Sequence, residues 1–427
     1  MKTIIQTVKG AREFYPMDMA ARIWLYNIIR KVSESFGYEE YDGPFLEKID
    51  LYAAKSGEEL VKEQSFVFPD RGGDYVTLRP ELTPSLARMI AQRQRSLHYP
   101  IHWWSFGPFW RYERPQKGRT REFFQWNIDI IGSDSAEADA ELVAISANFF
   151  KMVGFPPDQV QILVNNRRLM DAKFTEFGIP QEMRPDVFRL IDKHAKLNNE
   201  EWESYALEIG LNASQLEEIR QILNNPDLWK ESDELMRFFA AIEAMGVADY
   251  VKFDPKIIRG LDYYTGTVFE AYHLGEGGRS ILGGGRYDNL VDDVGGDPLT
   301  GAGFAMGDVL ILLLLQKYGL LPDEKTSPAD IMVSVFDEKM MIESIALTSD
   351  LRNSGIKTMC YPEAAKLNKQ FKYADRLGIR YVVVLGPDEI ANGQVAVKDL
   401  LDRSQQSIPR DEIVARVIEL LAQPNGV

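Results

Sequence analysis

Two arginines occupy positions where an unpaired guanidinium would be costly, and both indicate a site for an anion. Arg111 lies among aromatic residues in FGPFWRYERP, which predicts a position in the middle of a strand. Arg259 follows two isoleucines and precedes a glycine in IIRGLDYYTGTVFE. A buried guanidinium needs an anionic partner, and its planar fork matches the oxygens of a phosphate. Two such arginines that converge would bind a triphosphate or stabilise charge that develops at a phosphorus centre.

The acidic residues of the same regions leave a second interpretation open. A pair between Arg111 and either Glu113 or Glu122 would satisfy the guanidinium without any ligand. Three further acids lie near the same predicted strands: Glu81, Asp129 and Asp262. They could pair with the arginines, or they could recognise a cationic substrate such as an ammonium group or a protonatable ring.

Several common catalytic motifs are absent from the sequence. It contains neither GxxxxGK[ST] nor GxGxxG, and the glycine run GGGRYD at 283–288 lacks the spacing that opens a helix. It also contains no CxxC, HExxH or nucleophile elbow, and Pro100 separates the two histidines that lie closest together. We therefore predict no metal site built from the chain and no covalent hydrolase mechanism.

The overall charge and the local charge disagree. The chain has 427 residues and a net charge of −15, which argues against binding nucleic acid with the whole surface. Between Leu86 and Arg121, however, eight basic residues stand against one acid. This basic region is either a solvated surface patch or a selective site for a polyanion.

Hydropathy and cysteine content indicate a cytoplasmic protein. The N-terminus lacks the apolar core of a secretory signal, and the longest apolar run, Val309–Leu315, has seven residues, where a membrane span needs about 20. The single cysteine, Cys360, lies in a predicted strand. We expect a buried thiol in a reducing compartment and no membrane partner.

The elements that must position the arginines follow from periodicity. Apolar residues at helical spacing predict an amphipathic helix over 18–36, and the stretch 71–84 predicts a glycine turn followed by a strand. A second helix is expected from Pro84 to Gln94. Aromatic and polar residues then alternate over 101–132, which predicts a hairpin with the loop ERPQKGRTRE.

The second half of the chain divides into regions of different composition. From 166 to 251 it is acidic, helical in period and poor in strands, which predicts a helical insertion; strand and glycine signals return at Lys252. The stretch 320–330 has prolines and charge but no periodicity, so we expect a linker there. Strands and helices alternate beyond it, which predicts a separate module with a mostly parallel sheet.

One helix of this module, expected over 365–377, is basic on one side. The face carries Lys366, Lys369, Lys372 and Arg376. A solvated face and a polyanion-binding surface explain this pattern equally well.

Taken together, these stretches resemble the histidyl-tRNA synthetases, a family of class II aminoacyl-tRNA synthetases, over nearly the whole chain. RGLDYYTGTVFE and GGGRYDNLV are similar to the two histidine-specific motifs, FWRYERPQKGRTREFFQ to motif 2 and YDGPFLEK to motif 1. LRPELTP resembles the strand that binds the amino acid. The stretch 329–427 resembles the anticodon-binding domain, most closely in KLNKQFKYADRLGIRYVVVLG.

This resemblance implies an α+β fold, with an antiparallel-sheet catalytic domain that contains a helical insertion and with a C-terminal α/β anticodon-binding domain. The implied bounds are 1–165 and 252–322 for the catalytic core, 166–251 for the insertion and 329–427 for the anticodon-binding domain. The implied activity joins L-histidine and ATP into histidyl-adenylate and then passes the histidyl group to the 3′ end of tRNA(His). Magnesium is expected with ATP, and motif 1 is expected to join a homodimer.

The resemblance also implies roles for individual residues. Arg111 would hold the α-phosphate, and Arg259 would stabilise the transition state beside the same phosphate and the carboxylate of the amino acid. The implied histidine-binding residues are Glu81, Thr83 and Gln125 at the α-ammonium and Asp129, Tyr263, Tyr264 and Tyr287 in the imidazole pocket. The other implied contacts are Glu113, Arg119 and Arg121 for ATP, Arg114 and Gln116 for the tRNA acceptor end, and Lys366, Lys369 and Lys372 in the anticodon domain.

One motif departs from the family pattern. GAGFAMGDVLILLLL resembles motif 3, but the usual G-x-E-R reads Gly307, Asp308, Val309, Leu310, so a leucine replaces the arginine that grips the γ-phosphate. Losing one charge-assisted hydrogen bond costs about 1.5 to 3 kcal/mol when nothing substitutes for it. One hypothesis is that Arg119 or Arg121 substitutes in part.

This departure keeps one alternative open. The chain could be a paralogue that binds histidine without activating it, of the kind that serves as the regulatory subunit of ATP phosphoribosyltransferase. Such relatives generally lack the anticodon-binding module and have degraded histidine motifs, whereas this sequence retains the module and intact motifs, so the sequence favours the active synthetase.

Overall fold

The computed structural model describes residues 4–53, 63–116, 118–194, 197–259, 263–275, 279–289, 291–322 and 327–422. The candidate acid Asp262 lies outside the described residues. The chain divides into two compact units, Met1–Leu321 and Pro322–Val427. Within the described ranges, no helix has the length and apolar character needed to cross a membrane.

The first unit is built on a large sheet of eight strands in the order β1-β5-β6-β11-β10-β9-β7-β8. The six inner strands pair antiparallel, and only the edge strands β1 and β8 pair parallel to their neighbours. A smaller sheet has the order β2-β4-β3. In chain order the strands are β1 (Glu39–Glu40), β2 (Leu46–Lys48), β3 (Phe66–Pro69), β4 (Tyr75–Leu78), β5 (Ile101–Trp110), β6 (Glu122–Ile131), β7 (Val160–Asn166), β8 (Val251–Phe253), β9 (Thr267–His273), β10 (Ser280–Tyr287) and β11 (Gly301–Gly307).

Helices cover the large sheet and also fill the stretch between β7 and β8. Their bounds are α1 (Pro16–Ser35), α2 (Asp50–Ala53), α3 (Thr83–Arg93), α4 (Ala136–Val153), α5 (Arg167–Glu176), α6 (Arg184–Asp192), α7 (Asn199–Glu208), α8 (Ala213–Leu223), α9 (Asp233–Ala244) and α10 (Asp308–Lys317). Helices α5 to α9 occupy the acidic stretch between β7 and β8. Asparagines begin three of these helices, because their side-chain oxygens accept hydrogen bonds from free N–H groups of the first turn.

The core of the first unit centres on α4, which is buried along most of its length. This helix packs against α1, α9 and β11. The indole of Trp126 on β6 lies 5.4 Å from the ring of Phe149 on α4 and 4.8 Å from that of Phe304 on β11. Each fully buried side chain of this size contributes roughly 1.5 to 3 kcal/mol, so the sheet that carries the candidate site is held rigidly on one face.

The second unit contains a five-stranded sheet in the order β13-β12-β14-β15-β16. We predicted a mostly parallel sheet, but only β13, β12 and β14 are parallel, whereas β15 and β16 pair antiparallel. The connections before these two strands are too short for a parallel crossover. The elements are β12 (Ile331–Val333), α11 (Met341–Asn353), β13 (Thr358–Cys360), α12 (Leu367–Arg376), β14 (Tyr381–Val384), α13 (Pro387–Ala391), β15 (Gln394–Asp399), β16 (Gln405–Pro409) and α14 (Ile413–Ala422).

The expected fold class is confirmed, but one strand was not predicted and the expected burial of one residue is wrong. Strand β16 was missed because its sequence, QQSIP, has little strand character. Cys360 lies in a strand as expected, but its thiol is only partly buried, because β13 is an edge strand of the sheet.

Candidate active site

A cavity of about 1030 Å³ opens on the large sheet of the first unit. Its walls come mainly from the β5–β6 loop, strands β6, β9, β10 and β11, the end of α6, the start of α10 and the segment that ends at Arg259. Six of the residues chosen from the sequence line it: Arg111, Glu113, Gln116, Arg119, Gln125 and Arg259. The two arginines that indicated an anion site are therefore brought together, although about 150 residues separate them along the chain.

Arg111 lies directly after β5, so its predicted position in the middle of a strand is wrong. Its Nε donates to the carbonyl of Pro80 at 3.0 Å, and its guanidinium lies 5.4 Å from the ring of Phe123. Within the described part of the chain, no carboxylate forms an ion pair with it, and Glu113 pairs instead with Arg119 at 2.9 Å. The structural pair left open by the sequence is therefore not formed, and the Arg111 charge is directed at the cavity.

Arg259 is fixed in the cavity wall by its backbone and by its side chain. Its φ of 54° lies in the left-handed region, which costs a residue other than glycine about 1 to 3 kcal/mol. Its Nη1 pairs with Glu270 at 3.1 Å, and its guanidinium lies 5.5 Å from the ring of Tyr264. Burial lowers the pKa of Arg259, but the neighbouring Tyr264 and Glu270 outweigh it and leave that pKa above the ordinary value. The side chain remains a cation.

The glycine run of β10 makes room for this arginine. A Cβ atom added at Gly283 would collide with the Arg259 guanidinium, and one added at Gly285 would collide with the Tyr264 ring. The absence of side chains at these two glycines lets both groups approach the strand closely. Arg167, which the sequence analysis did not single out, donates to the carbonyls of Tyr264 and Arg259 at 2.9 and 3.0 Å and so holds both ends of the segment.

A buried acid and a phenol form the centre of the predicted imidazole pocket. Asp129 on β6 is 6% exposed, Tyr287 on β10 is 3% exposed, and the tyrosine hydroxyl donates to the carboxylate. Burial raises the pKa of Asp129 to about 7, and the hydrogen bond from Tyr287 opposes this effect. A Cβ at Gly303 would collide with Asp129, so the neighbouring strand is also shaped around the carboxylate.

The tyrosine pair connects this pocket to Arg259. The ring of Tyr263 lies 4.7 Å from that of Tyr264 and 6.3 Å from that of Tyr287. Burial first, then the nearby Tyr264 and the charge of Glu81, raise the pKa of Tyr263 well above its ordinary value. The structure thus brings Glu81 close to the pocket. Thr83 begins α3 two residues later, is partly buried and does not line the cavity.

The β5–β6 loop carries the more exposed candidates. The backbones of Gln116 and Arg119 form two hydrogen bonds with each other: the N–H of Gln116 donates to the carbonyl of Arg119 at 3.0 Å, and the N–H of Arg119 donates to the carbonyl of Gln116 at 2.9 Å. Arg114 is exposed and does not line the cavity. Arg121 does not line the cavity. Its Nε donates to the carbonyl of Glu113 at 3.1 Å, and its Nη1 donates to the carbonyl of Lys9 at 3.4 Å.

The motif 3 departure lies at the wall of the cavity. Leu310, on the first turn of α10, lines the cavity where an arginine was expected. Asp308, two residues earlier, is fully buried, pairs with Arg12 at 2.8 Å and accepts from the backbone N–H of Phe124 at 2.9 Å. Arg279 and Glu270 also line the cavity and were not predicted as site residues, because nothing local in the sequence distinguishes them from other charged residues.

The carboxylates of the cavity do not form a metal cage. Among the described residues, no three of His, Cys, Asp and Glu group together in a way that could hold a metal ion. Among the described residues, the carboxylates of Asp192, Asp254, Glu113 and Glu270 line the cavity, and the last two lie beside Arg119 and Arg259. Mg²⁺ commonly binds through one or two carboxylates together with substrate phosphates, so these two residues fit an ion that enters with a nucleotide.

In the second unit, the predicted basic face lies on α12. Lys366, Lys369 and Lys372 are exposed, whereas Gln370 and Ala374 face the core. Lys369 pairs with Glu363 at 2.8 Å, an exposed ion pair of small energy. The face is therefore open to solvent and remains positive overall.

Comparison with known proteins gives a consistent result for both units. Residues 10–308 match the family model described as histidyl-tRNA synthetase, and residues 330–420 match the anticodon binding domain. A histidine–tRNA ligase of Pyrococcus horikoshii is 37% identical over 436 residues, which cover 98% of this chain and 100% of the relative.

Solved structures resemble the chain as well. A histidyl-tRNA synthetase from Nostoc is 26% identical with a TM-score of 0.81, and the match covers 98% of this chain and 100% of that one. A protein from Bacillus halodurans described as an ATP phosphoribosyltransferase regulatory subunit/histidyl-tRNA synthetase is 20% identical with a TM-score of 0.68, over 87% of this chain and 97% of that one. The second likeness concerns the fold alone.

Proposed function

Because the chain belongs to the histidyl-tRNA synthetase family, we propose that the cavity bounded by Arg111 and Arg259 is the site where it joins histidine to ATP. The chain is an aminoacyl-tRNA ligase, a histidine–tRNA ligase. The observation that carries the proposal is the continuous set of contacts from Arg259 through the tyrosine pair to Tyr287 and Asp129. A phosphate-binding cation and a pocket for a polar ring thus lie side by side.

The amino acid occupies the pocket with its imidazole toward Asp129 and Tyr287. A carboxylate and a phenol can accept from one ring nitrogen and donate to the other, which fixes one imidazole tautomer. Tyr263 and Tyr264 form the walls. Three residues take the α-ammonium: Glu81, Thr83 and Gln125. The negative charge of Glu81 close to Tyr263 supports this orientation.

Activation takes place between the two arginines. A carboxylate oxygen of histidine attacks the α-phosphorus of ATP, the bond to the bridging oxygen of the β-phosphate breaks, and pyrophosphate leaves. Arg111 holds the α-phosphate, and Arg259 stabilises the charge that grows on it in the transition state. Both are catalytic residues in this proposal. Arg259 is well suited because Glu270 and Gly283 fix its guanidinium before the substrate arrives.

ATP is further held by Glu113 and Arg119, which form an ion pair in the cavity wall. We do not include Arg121, because its guanidinium is bonded to backbone carbonyls away from the cavity. Magnesium, when bound with ATP, offsets the charge of the phosphates, and Glu113 and Glu270 are the carboxylates that fit it.

The transfer step needs the tRNA to reach both units. The ribose hydroxyl at the 3′ end of tRNA(His) attacks the carbonyl carbon of the adenylate, and AMP leaves. Arg114 and Gln116 contact the acceptor end, and Lys366, Lys369 and Lys372 contact the anticodon region. The exposure of these lysines supports the second contact.

In this proposal, the catalytic core comprises residues 1–165 and 252–322, the helical insertion comprises 166–251, and the anticodon domain comprises 329–427.

We further propose that the enzyme is a homodimer in the cytoplasm. The small sheet β2-β4-β3 leaves apolar side chains exposed, which include Leu46, Val67, Phe68 and Tyr75. A second copy of the chain would cover them through the segment that resembles motif 1. The use of a single cysteine fits a reducing compartment. Light scattering tests the dimer, and a monomeric mass at micromolar concentration would contradict it.

The first test is pyrophosphate exchange into ATP by the purified chain, with each standard amino acid supplied in turn. We expect exchange with histidine alone. Histidine binding by calorimetry without any exchange would instead indicate the paralogue that binds histidine without activating it, and exchange with another amino acid would contradict the assignment of the imidazole pocket.

A further inference from the structure

Arg279 and Leu310, the residue at the position of the missing motif 3 arginine, lie near each other in the wall of the cavity. It precedes β10, lines the cavity and was not among the residues predicted from the sequence. A Cβ atom placed on Gly118 would lie 3.1 Å from Nη1 of Arg279 and 3.8 Å from Cδ1 of Leu310. The guanidinium of Arg279 and the end of the Leu310 side chain therefore approach the same point in the wall.

The position of Arg279 directly before β10 relates it to the proposed reaction centre. Gly283, against which the Arg259 guanidinium rests, follows four residues later. Four residues of extended chain span at most about 13 Å, so Arg279 lies at that distance or less along the chain from the residue against which Arg259 rests. A triphosphate whose α-phosphate lies between Arg111 and Arg259 can extend along the strand toward Arg279.

We propose that Arg279 binds the terminal phosphate of ATP in place of the arginine that Leu310 has replaced. The inference rests on the proposed function of this cavity. Arginine suits the task because its fork matches two phosphate oxygens. The cation then comes from the residue before β10 and not from the start of α10, and the cavity retains a cation near Leu310.

Of the two alternatives from the sequence, Arg121 does not line the cavity, and backbone carbonyls hold its guanidinium. Arg119 lines the cavity and is already assigned to ATP together with Glu113 in the proposed function, so its contact would be additional to that of Arg279. A leucine at 310 is also understandable if Arg279 holds the phosphate, because an arginine at both positions would place two like charges close together.

The test compares ATP with AMP, which lacks the terminal phosphates. We expect Arg279→Ala to raise the KM for ATP in pyrophosphate exchange by about 10- to 100-fold, with an unchanged KM for histidine. Calorimetry should show the same loss for ATP and no loss for AMP. Lys256→Ala is the matched control, because Lys256 is another exposed cation of the cavity wall and has no proposed role; its ATP affinity should not change.

A second variant tests the replacement directly. In Arg279→Ala, the additional change Leu310→Arg should recover most of the ATP affinity, because it restores the cation from the other element. Equal losses for ATP and AMP, or ATP affinity that does not change in Arg279→Ala, would overturn the proposal. If the wild-type chain shows no exchange with any amino acid, the proposed function fails, but the comparison of ATP and AMP binding still decides the role of Arg279.

Discussion

The two sides of the candidate site, the buried imidazole pocket with Arg259 and the β5–β6 loop, are built in different ways. On the histidine side, Asp129 and Tyr287 are buried, only 18% of the Arg259 side chain is exposed, and glycines of β10 and β11 leave the space that these side chains fill. On the loop side, the Arg119 side chain is 57% exposed and is held by one ion pair. The first side is fixed before a ligand arrives, whereas the second can adjust to one. Substitutions should therefore be far more damaging on the histidine side.

The largest expected effect is at Arg259. Arg259→Ala should lower kcat/KM for exchange by about 10³-fold, because it removes the preorganised cation and leaves Glu270 without its arginine partner. Gly283→Ala should cause a loss of similar size, since its methyl group would displace the guanidinium. If the glycine acts only through the arginine, the double variant should be no worse than Arg259→Ala. Losses that multiply would show that Gly283 has a separate role.

The next largest effect is expected at Asp129, where one substitution should weaken histidine binding and at the same time stabilise the fold. Asp129→Asn should raise the KM for histidine by about 100-fold, because the amide cannot replace the charged acceptor for an imidazole N–H. Arg119→Ala serves as the control from the loop side and should leave the KM for histidine unchanged. An Asp129→Asn enzyme with an ordinary histidine KM would contradict the assigned pocket.

The same substitution should stabilise the folded protein. The pKa of Asp129 is raised to about 7 from an ordinary value of 3.8, so folding at neutral pH either buries a charge or takes up a proton. This penalty is absent below pH 4, grows as the pH rises toward 7 and is constant above it. Asp129→Asn removes this penalty. The difference in unfolding free energy between the variant and the wild type should therefore be a few kcal/mol larger, in favour of the variant, at pH 8 than at pH 4. Equal gains at both pH values would refute the buried-acid explanation.

A smaller effect is expected on the loop side. Arg119→Ala should raise the KM for ATP by about two- to fivefold, as expected for an interaction made by an exposed side chain. Arg121→Ala should leave it unchanged, because that side chain is engaged outside the cavity. Measuring both in one assay sharpens the comparison. A loss at Arg119 as large as that at Arg259 would show that the loop is as preorganised as the histidine side.

The smallest effects should come from the second unit. Changing Lys366, Lys369 and Lys372 together to alanine should raise the KM for tRNA several-fold and lower the salt dependence of tRNA binding by about 0.7 for each phosphate that is no longer neutralised. Pyrophosphate exchange should not change, because it needs no tRNA. Lys357→Ala, at another exposed lysine of the same unit, is the control. Loss of pyrophosphate exchange in the triple variant would contradict the assignment of histidine activation to the first unit and of tRNA binding by these lysines to the second.

Much of the architecture follows from the sequence, because it depends on local patterns. The alternation over 101–132 predicted β5 and β6, and the apolar spacing over 18–36 predicted α1. Strand β16 and the partial exposure of Cys360 could not be predicted, because they depend on which strand lies at the edge of a sheet. Likewise, Arg111 looked like a strand residue, but the strand ends one residue before it.

The sequence by itself determined the family, the presence of the arginines and tyrosines, and the loss of the motif 3 arginine at Leu310. Only the tertiary structure decided which charged groups meet. It paired Glu113 with Arg119 and not with Arg111, turned Arg121 away, and brought Arg279 close to Leu310. Residue types and their spacing can be read from the chain directly. Ion pairs and cavities depend on which strands are neighbours in the sheet, and on whether a residue is a glycine that leaves space for a side chain from another strand or loop.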